Sequence, residues 1–180
     1  MYQIQFSRGL DALPLAKELR RKVFITEQGF QNEFDDIDRT AWHVLISEGG
    51  FPCGTGRVFE TPAGSGCYHL GRIAVERDYR KQHIGSLVLK KLEEKARELG
   101  ARELQLSAQV QAQGFYEKNG YQAFGSTYPD EHVPHISMKN EGFKSFTQNT
   151  AKLDNSGWLL VLPFCPILLC FLFLSHPDFS

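Results

Sequence analysis

Polar and apolar residues alternate over residues 2–6 (YQIQF), the period-two signature of a half-buried strand. From Leu10 the period lengthens. Leu15, Leu19 and Val23 fall on one side of a helix that Asp11 can cap, with Pro14 in its first turn and Gly29 at its end. Glu27 and Gln28 then lie at the C-terminal end of that helix. Strand patterns return over residues 42–47, 53–61 and 67–75, the last two joined by the turn TPAGSG, and predict an antiparallel meander. Between residues 79 and 100, Ile84, Val88, Leu92, Ala96 and Leu99 form one apolar stripe, Glu93 stands four residues before Arg97, and Gly100 takes the position just past the helix. Residues 104–108 read as a strand, 113–119 as a short helix stopped by Gly120, and 121–124 and 135–139 as closing strands. The order is β-α-β-β-β-α-β-α-β-β. A strand, a helix and a strand in succession over residues 67–108 imply a right-handed crossover and hence a parallel pair. The expected fold class is therefore mixed α/β: a mostly antiparallel twisted sheet with one central parallel pair, flanked by helices.

The patterning stops near residue 140. Residues 1–140 read as the folded domain, 141–157 as a polar linker, and 158–180 as a hydrophobic C-terminal tail of uncertain nature. Within the tail, residues 158–174 carry no charge but are interrupted by Pro163 and Pro166, at the lower limit of length for a membrane-crossing helix. Membrane association is expected only through that run. The 20 Lys plus Arg and 21 Asp plus Glu leave a net charge of -1, so no overall field favours nucleic acid. Cys53, Cys67, Cys165 and Cys170 have neither the density of a secreted disulfide scaffold nor a zinc-type pair, which points to a reducing cytoplasm and no metal. Four carboxylates in NEFDDIDRT (Glu33, Asp35, Asp36 and Asp38) lack the glycine and terminal glutamate of a calcium loop, and read as a solvated or substrate-facing acidic loop. Arg57 and Arg72, on adjacent strands, either bind an acidic substrate or pair with these carboxylates, and the pairing is the expectation.

The sharpest chemical feature is GRIAVERDYRKQHIGSLVL, where a strand feeds the long helix. A loop ending in Gly85 exposes backbone N–H groups at a helix N-terminus, which suits a phosphate, and Arg80 and Lys81 add charge. The run RKQHIG resembles the cofactor motif Q/R-x-x-G-x-G/A of the GNAT superfamily of N-acetyltransferases, with His83 in place of the first glycine. A side chain there must accept positive φ or crowd a pyrophosphate. Downstream, AQVQAQGFYEKNGY resembles the family segment that carries an acid tyrosine, here Tyr116. The runs RKVFITEQGF, DDID with Trp42 and His43 after it, GRIAV and VPHISMK resemble the ElaA-like branch in the same order. Departures lie at Glu131, His132, Val133 and everything beyond Asn140.

The resemblance implies acetyl-CoA as co-substrate and direct transfer of its acetyl group to a primary amine of a small molecule or peptide. It implies that Ile73, Ala74 and Val75 hold the pantetheine arm and that Arg80, Lys81, Gln82, His83, Ile84, Gly85 and Ser86 take the pyrophosphate, with Phe115 beside them. Tyr116 would protonate the leaving thiolate. The base that takes the amine proton is left open among Glu27, His43 and His135, while His69 reads as structural. Oligomeric state and acceptor stay open, and the acidic run hints at a cationic one. Two other readings remain: a non-catalytic acyl-CoA-binding module of the same fold, and an interaction protein tethered to a membrane by its tail.

Overall fold

The computed structural model describes residues 1–140, 142 and 143, so the expected tail and all of the expected linker but residues 142 and 143 lie outside the described residues. Seven strands form one sheet in the order β1-β2-β3-β4-β5-β7-β6. Their ranges are β1 Tyr2–Arg8, β2 Trp42–Glu48, β3 Phe51–Glu60, β4 Cys67–Val75, β5 Glu103–Gln109, β6 Tyr121–Asp130 and β7 Val133–Asn140. Among the described residues only β4 and β5 pair in parallel, as the crossover through α2 (Ile84–Glu98) requires. The remaining helices are α1 (Pro14–Arg20) and α3 (Gln113–Lys118).

Side-chain alternation gives the sheet two unlike faces. On one, Val44, Val58 and Leu70 pack beneath Ile84, Val88 and Leu92 of α2, all essentially without solvent contact. Two glycines of β3 set how close α2 comes. A Cβ on Gly54 would stand 2.7 Å from Ile84 Cγ2 and 2.9 Å from Val88 Cγ2, and one on Gly56 would stand 2.8 Å from Leu92 Cδ1. The opposite face meets α1 and the acidic loop, through Leu45 against Leu10, Leu13 and Ala16, and Ala74 against Leu19 and Val23.

Four expectations are corrected. The single helix expected from Leu10 is a 3-10 turn (Leu10–Ala12), then α1, then a π-helical continuation over Arg21–Glu27. Leu13, not Asp11, stands at the N-terminus of α1, because Pro14 begins the helix and the Asp11 carboxylate is drawn to Lys17 Nζ at 2.9 Å. The helix expected from residue 79 starts at Ile84, since Lys81 (φ 65°) and His83 (φ 60°) take left-handed conformations just before it. β6 runs to Asp130 rather than 124. It is an edge strand exposed on both faces over most of its length, so no alternation marks it.

Candidate active site

The parallel pair holds for only part of its length. Cys67 pairs with Glu103, and the register continues to Leu70 with Leu106, after which no further pairing joins β4 to β5. Beyond that point β4 bulges: Thr55 of β3 faces Ala74 but Arg57 faces Gly71, so one extra residue is taken up around Arg72, whose φ is 51°. The parted strands open a cavity of about 860 Å³. Its lining comes from both faces of the sheet, with Ile84, Gly85 and Phe115 on the α2 side and Val23, Phe24 and Phe30 on the α1 side.

Of the residues expected to hold the cofactor, Ile73, Ala74, Val75, Arg80, Lys81 and His83 line the cavity, and Ser86 and Tyr116 join them. The first N–H groups of α2 have no partner within their own helix, and His83, at its N-cap, contributes no side-chain cap. A donor-rich helix end therefore faces the cavity. The left-handed backbone at His83 is the conformation its place in the motif demanded, adopted here by a residue with a Cβ. Gly85 admits Phe115: a Cβ there would lie 3.1 Å from Phe115 Cζ. Gln82 is not among the lining residues, and its Nε2 donates to the Asp78 carbonyl at 2.8 Å.

Tyr116 packs edge-on against Phe115, ring centroids 4.9 Å apart, and against Tyr121 at 6.2 Å. Burial pushes its phenol up to about 12, so the hydroxyl keeps its proton throughout the working pH range.

The three candidate bases separate clearly. Glu27 lies outside the lining. Its two carboxylate oxygens each accept from Arg80 at 2.6 Å, and this pairing holds its carboxyl below the usual range. His43 is fully buried and also outside the lining. Its Nε2 lies 3.1 Å from the Asp38 carbonyl, and burial, with the charges of Arg20 and Arg57, lowers it to about 4. His135 does line the cavity, with Nδ1 3.0 Å from the Val133 carbonyl and its ring stacked on Tyr128. His69, read as structural, also lines the cavity.

The acidic loop divides: Asp36 is exposed to solvent, whereas its other carboxylates turn inward. Glu33 and Asp38 are buried at 4% and 6% exposure around the wholly buried Arg20, whose Nε donates to Glu33 at 2.5 Å and Nη1 to Asp38 at 2.7 Å. Arg57 Nη1 reaches Asp35 at 2.6 Å and Asp38 at 2.7 Å, and Arg72 Nε lies 2.9 Å from Glu33 Oε2. The expected pairing of Arg57 and Arg72 with these carboxylates is thus observed. Burial would push Asp38 up, but hydrogen bonds and charge from Arg20, then Arg57, hold it at about 2.

The β6–β7 turn closes the same side. The Glu131 carboxylate accepts from the backbone N–H of Gln31 at 2.9 Å and Asn32 at 2.8 Å, and His132 Nε2 lies 2.9 Å from the Gln28 carbonyl. Gln109 Nε2 donates to Gln28 Oε1 at 2.9 Å, which ties β5 to the end of the first helix. Phe30, Ser107 and Gln109 line this part of the cavity, although pattern and spacing did not single out the first two. Among the described residues no helix is long and apolar enough to cross a membrane.

Known proteins match this architecture. Residues 12–141 fit the family model of the acetyltransferase (GNAT) domain. The protein YyaT of Bacillus subtilis is 34% identical over 137 residues, covering 73% of this chain and 90% of that relative. The uncharacterized N-acetyltransferase YjcF of the same organism is 32% identical over 126 residues, covering 68% and 88%. Among solved structures, Escherichia coli ElaA superposes with a TM-score of 0.71 at 23% identity, over 78% of this chain and all of that one, and shares its fold. With its sheet parted between β4 and β5 and its sequence fitted by the family model over residues 12–141, the chain belongs to the GNAT family and is an N-acetyltransferase.

Proposed function

We propose that this enzyme moves the acetyl group of acetyl-CoA directly to a primary amine of a small molecule or peptide, with both substrates bound at once. The observation that carries the reading is the parting of β4 and β5 after Leu70 and Leu106, which connects a donor-rich helix end on one face to a second chamber on the other. On this reading the free N–H groups at the start of α2, with Lys81 and Arg80, hold the pyrophosphate. The unpaired edge of β4 at Ile73, Ala74 and Val75 takes the pantetheine arm, and a backbone N–H there stabilises the developing oxyanion.

His135 is the base of choice. Its Nδ1 hydrogen is held by the Val133 carbonyl, which leaves the Nε2 lone pair free to accept a proton. His135 takes the proton from the amine, the nitrogen forms its bond to the thioester carbonyl carbon, the carbon–sulfur bond breaks, and Tyr116 gives its proton to the departing thiolate. Solvent returns that proton to Tyr116 and removes the one on His135. The dry setting that raises the phenol also makes a bare thiolate costly, so proton transfer accompanies sulfur departure. Glu27 keeps the Arg80 guanidinium in place. The free thiols Cys53 and Cys67 suit a reducing cytoplasm.

The test is thiol release from acetyl-CoA with a panel of amines. Tyr116→Phe is expected to lower kcat roughly 100-fold or more with acetyl-CoA affinity retained. Binding of acetyl-CoA without turnover of any amine would instead favour a non-catalytic acyl-CoA-binding module.

A further inference from the structure

The second chamber of the cavity has a charge arrangement that the sequence conceals. Three arginines (Arg20, Arg57 and Arg72) and three carboxylates (Glu33, Asp35 and Asp38) make a cluster that is neutral as a whole. Its members are not equally placed. Arg57, Arg72 and Glu33 line the cavity, whereas Asp35 and Asp38 do not. The wall that an acceptor meets therefore presents two guanidinium groups against one carboxylate, and that carboxylate already accepts from both Arg20 and Arg72.

Both lining arginines keep donors in reserve. Arg57 is 96% buried, yet its Nε has no hydrogen-bond partner. A buried guanidinium N–H without an acceptor is costly and calls for one. Arg72 uses Nε on Glu33 and turns Nη2 towards Asp35 at 3.5 Å, which leaves Nη1 without a partner among the described residues. The β4 bulge holds Arg72 at φ 51°, a backbone strained for a residue with a Cβ, and the bulge is what puts this side chain next to Gly71 on the α1 side. His69 lines the same wall, and burial, reinforced by the charges of Arg57 and Arg72, lowers it to about 4, so it stays neutral there. The negative groups at the opposite rim do not cancel this wall, because Asp130 and Glu131 are exposed to water and the Glu131 carboxylate is committed to the backbone of Gln31 and Asn32.

We infer that the acceptor is an amino-carboxylate, an amine whose own carboxylate docks on Arg72 and the spare N–H of Arg57. This rests on the acetyl-transfer reading and names its substrate class. It also replaces the cationic acceptor suggested by the acidic run, since Glu33, Asp35 and Asp38 of that run are paired with arginines of the protein.

The experiment uses the full chain with acetyl-CoA, and a panel of α-, β- and γ-amino acids each tested beside its own carboxamide. The carboxamide keeps the amine and the shape but loses the charge. A charge-assisted contact predicts kcat/KM at least roughly tenfold higher for the acid than for the amide in the best pair. Arg72→Gln is expected to raise KM for that acid and to erase the acid-over-amide ratio. The wild-type ratio alone decides the matter if the variant fails to fold. Amides or polyamines turned over as well as the acids would overturn the amino-carboxylate assignment and leave acetyl transfer standing. No turnover with any amine would overturn both.

Discussion

The two faces of the sheet are stabilised by different physics, and the difference explains where the chemistry sits. Towards α2 the contacts are aliphatic, with Val88 and Leu92 set on Gly54 and Gly56, and this side behaves as an ordinary core. Towards α1 the interior is ionic, with Arg20 wholly buried between Glu33 and Asp38 and His43 neutral beneath them. Aliphatic packing is insensitive to pH and fixes the end of the cavity that would hold an invariant cofactor. The ionic side is sensitive to pH, and its donors are available to choose an acceptor. The lesson is that one cavity through a sheet inherits a constant half and an adjustable half from the faces it joins.

Breaking each face should expose that contrast. Arg20→Ala leaves two buried carboxylates without their main partner and is expected to cost about 3–5 kcal/mol of unfolding free energy at pH 7. The loss should shrink as acid protonates Glu33, whose carboxyl burial already pushes up. Leu92→Ala, on the other face, should cost about 3 kcal/mol through the void it leaves, and the same amount at pH 7 and pH 5. Urea titrations of both variants at the two pH values check this directly. Equal pH dependence of the two losses would remove the distinction.

Acid should also weaken the wild-type protein. His43 protonates at about 4 when folded and near 6.5 when unfolded, so below 6.5 the unfolded chain takes up a proton that the native state refuses. Stability should therefore fall with pH over that window, by roughly 2 kcal/mol for His43 between pH 7 and pH 5. Asp38 does not contribute to this fall. Held at about 2, it adds stability above its ordinary carboxylate range that is lost only as pH drops towards 2. Thermal melts across pH 4–7 test the window, and His43→Asn should reduce the slope, leaving the share of His69, which burial lowers to a similar value.

The smallest effect concerns the rim of the cofactor end. His83→Gly removes a Cβ from a left-handed position and is expected to raise stability by about 1 kcal/mol or less, because flexibility gained in the unfolded chain offsets part of the relief. Calorimetry should find acetyl-CoA bound as tightly or more tightly, and weaker binding would mean that the imidazole itself contacts phosphate.

Legibility in the sequence followed the range of the interactions. The stripe of α2, its Glu93–Arg97 pair and Gly100 (φ 88°) were readable because they are local, as was the element order. The run from Arg80 to Ser86 was readable as the loop that opens α2 because a helix end is built from consecutive residues. The acidic loop was legible only in part: its pairing with Arg57 and Arg72 was expected, but nothing local to Glu33 or Asp38 announces Arg20 of α1, which draws both carboxylates inside. Phe30 and Ser107 were missed for the same reason. Their place in the site comes from the turn at Glu131 clasping Gln31 and from the Ser107 hydroxyl bonding Tyr128, both long-range contacts.

Hydrogen exchange along the central strands tests the account most directly. The amides of Cys67 to Leu70 and Glu103 to Leu106 should be protected with or without ligand, whereas those of residues 71–75 that face away from β3 should exchange quickly in the free chain and slow markedly when acetyl-CoA is added. Uniform protection along β4 in the free protein, or no change in residues 71–75 at saturating acetyl-CoA, would contradict it.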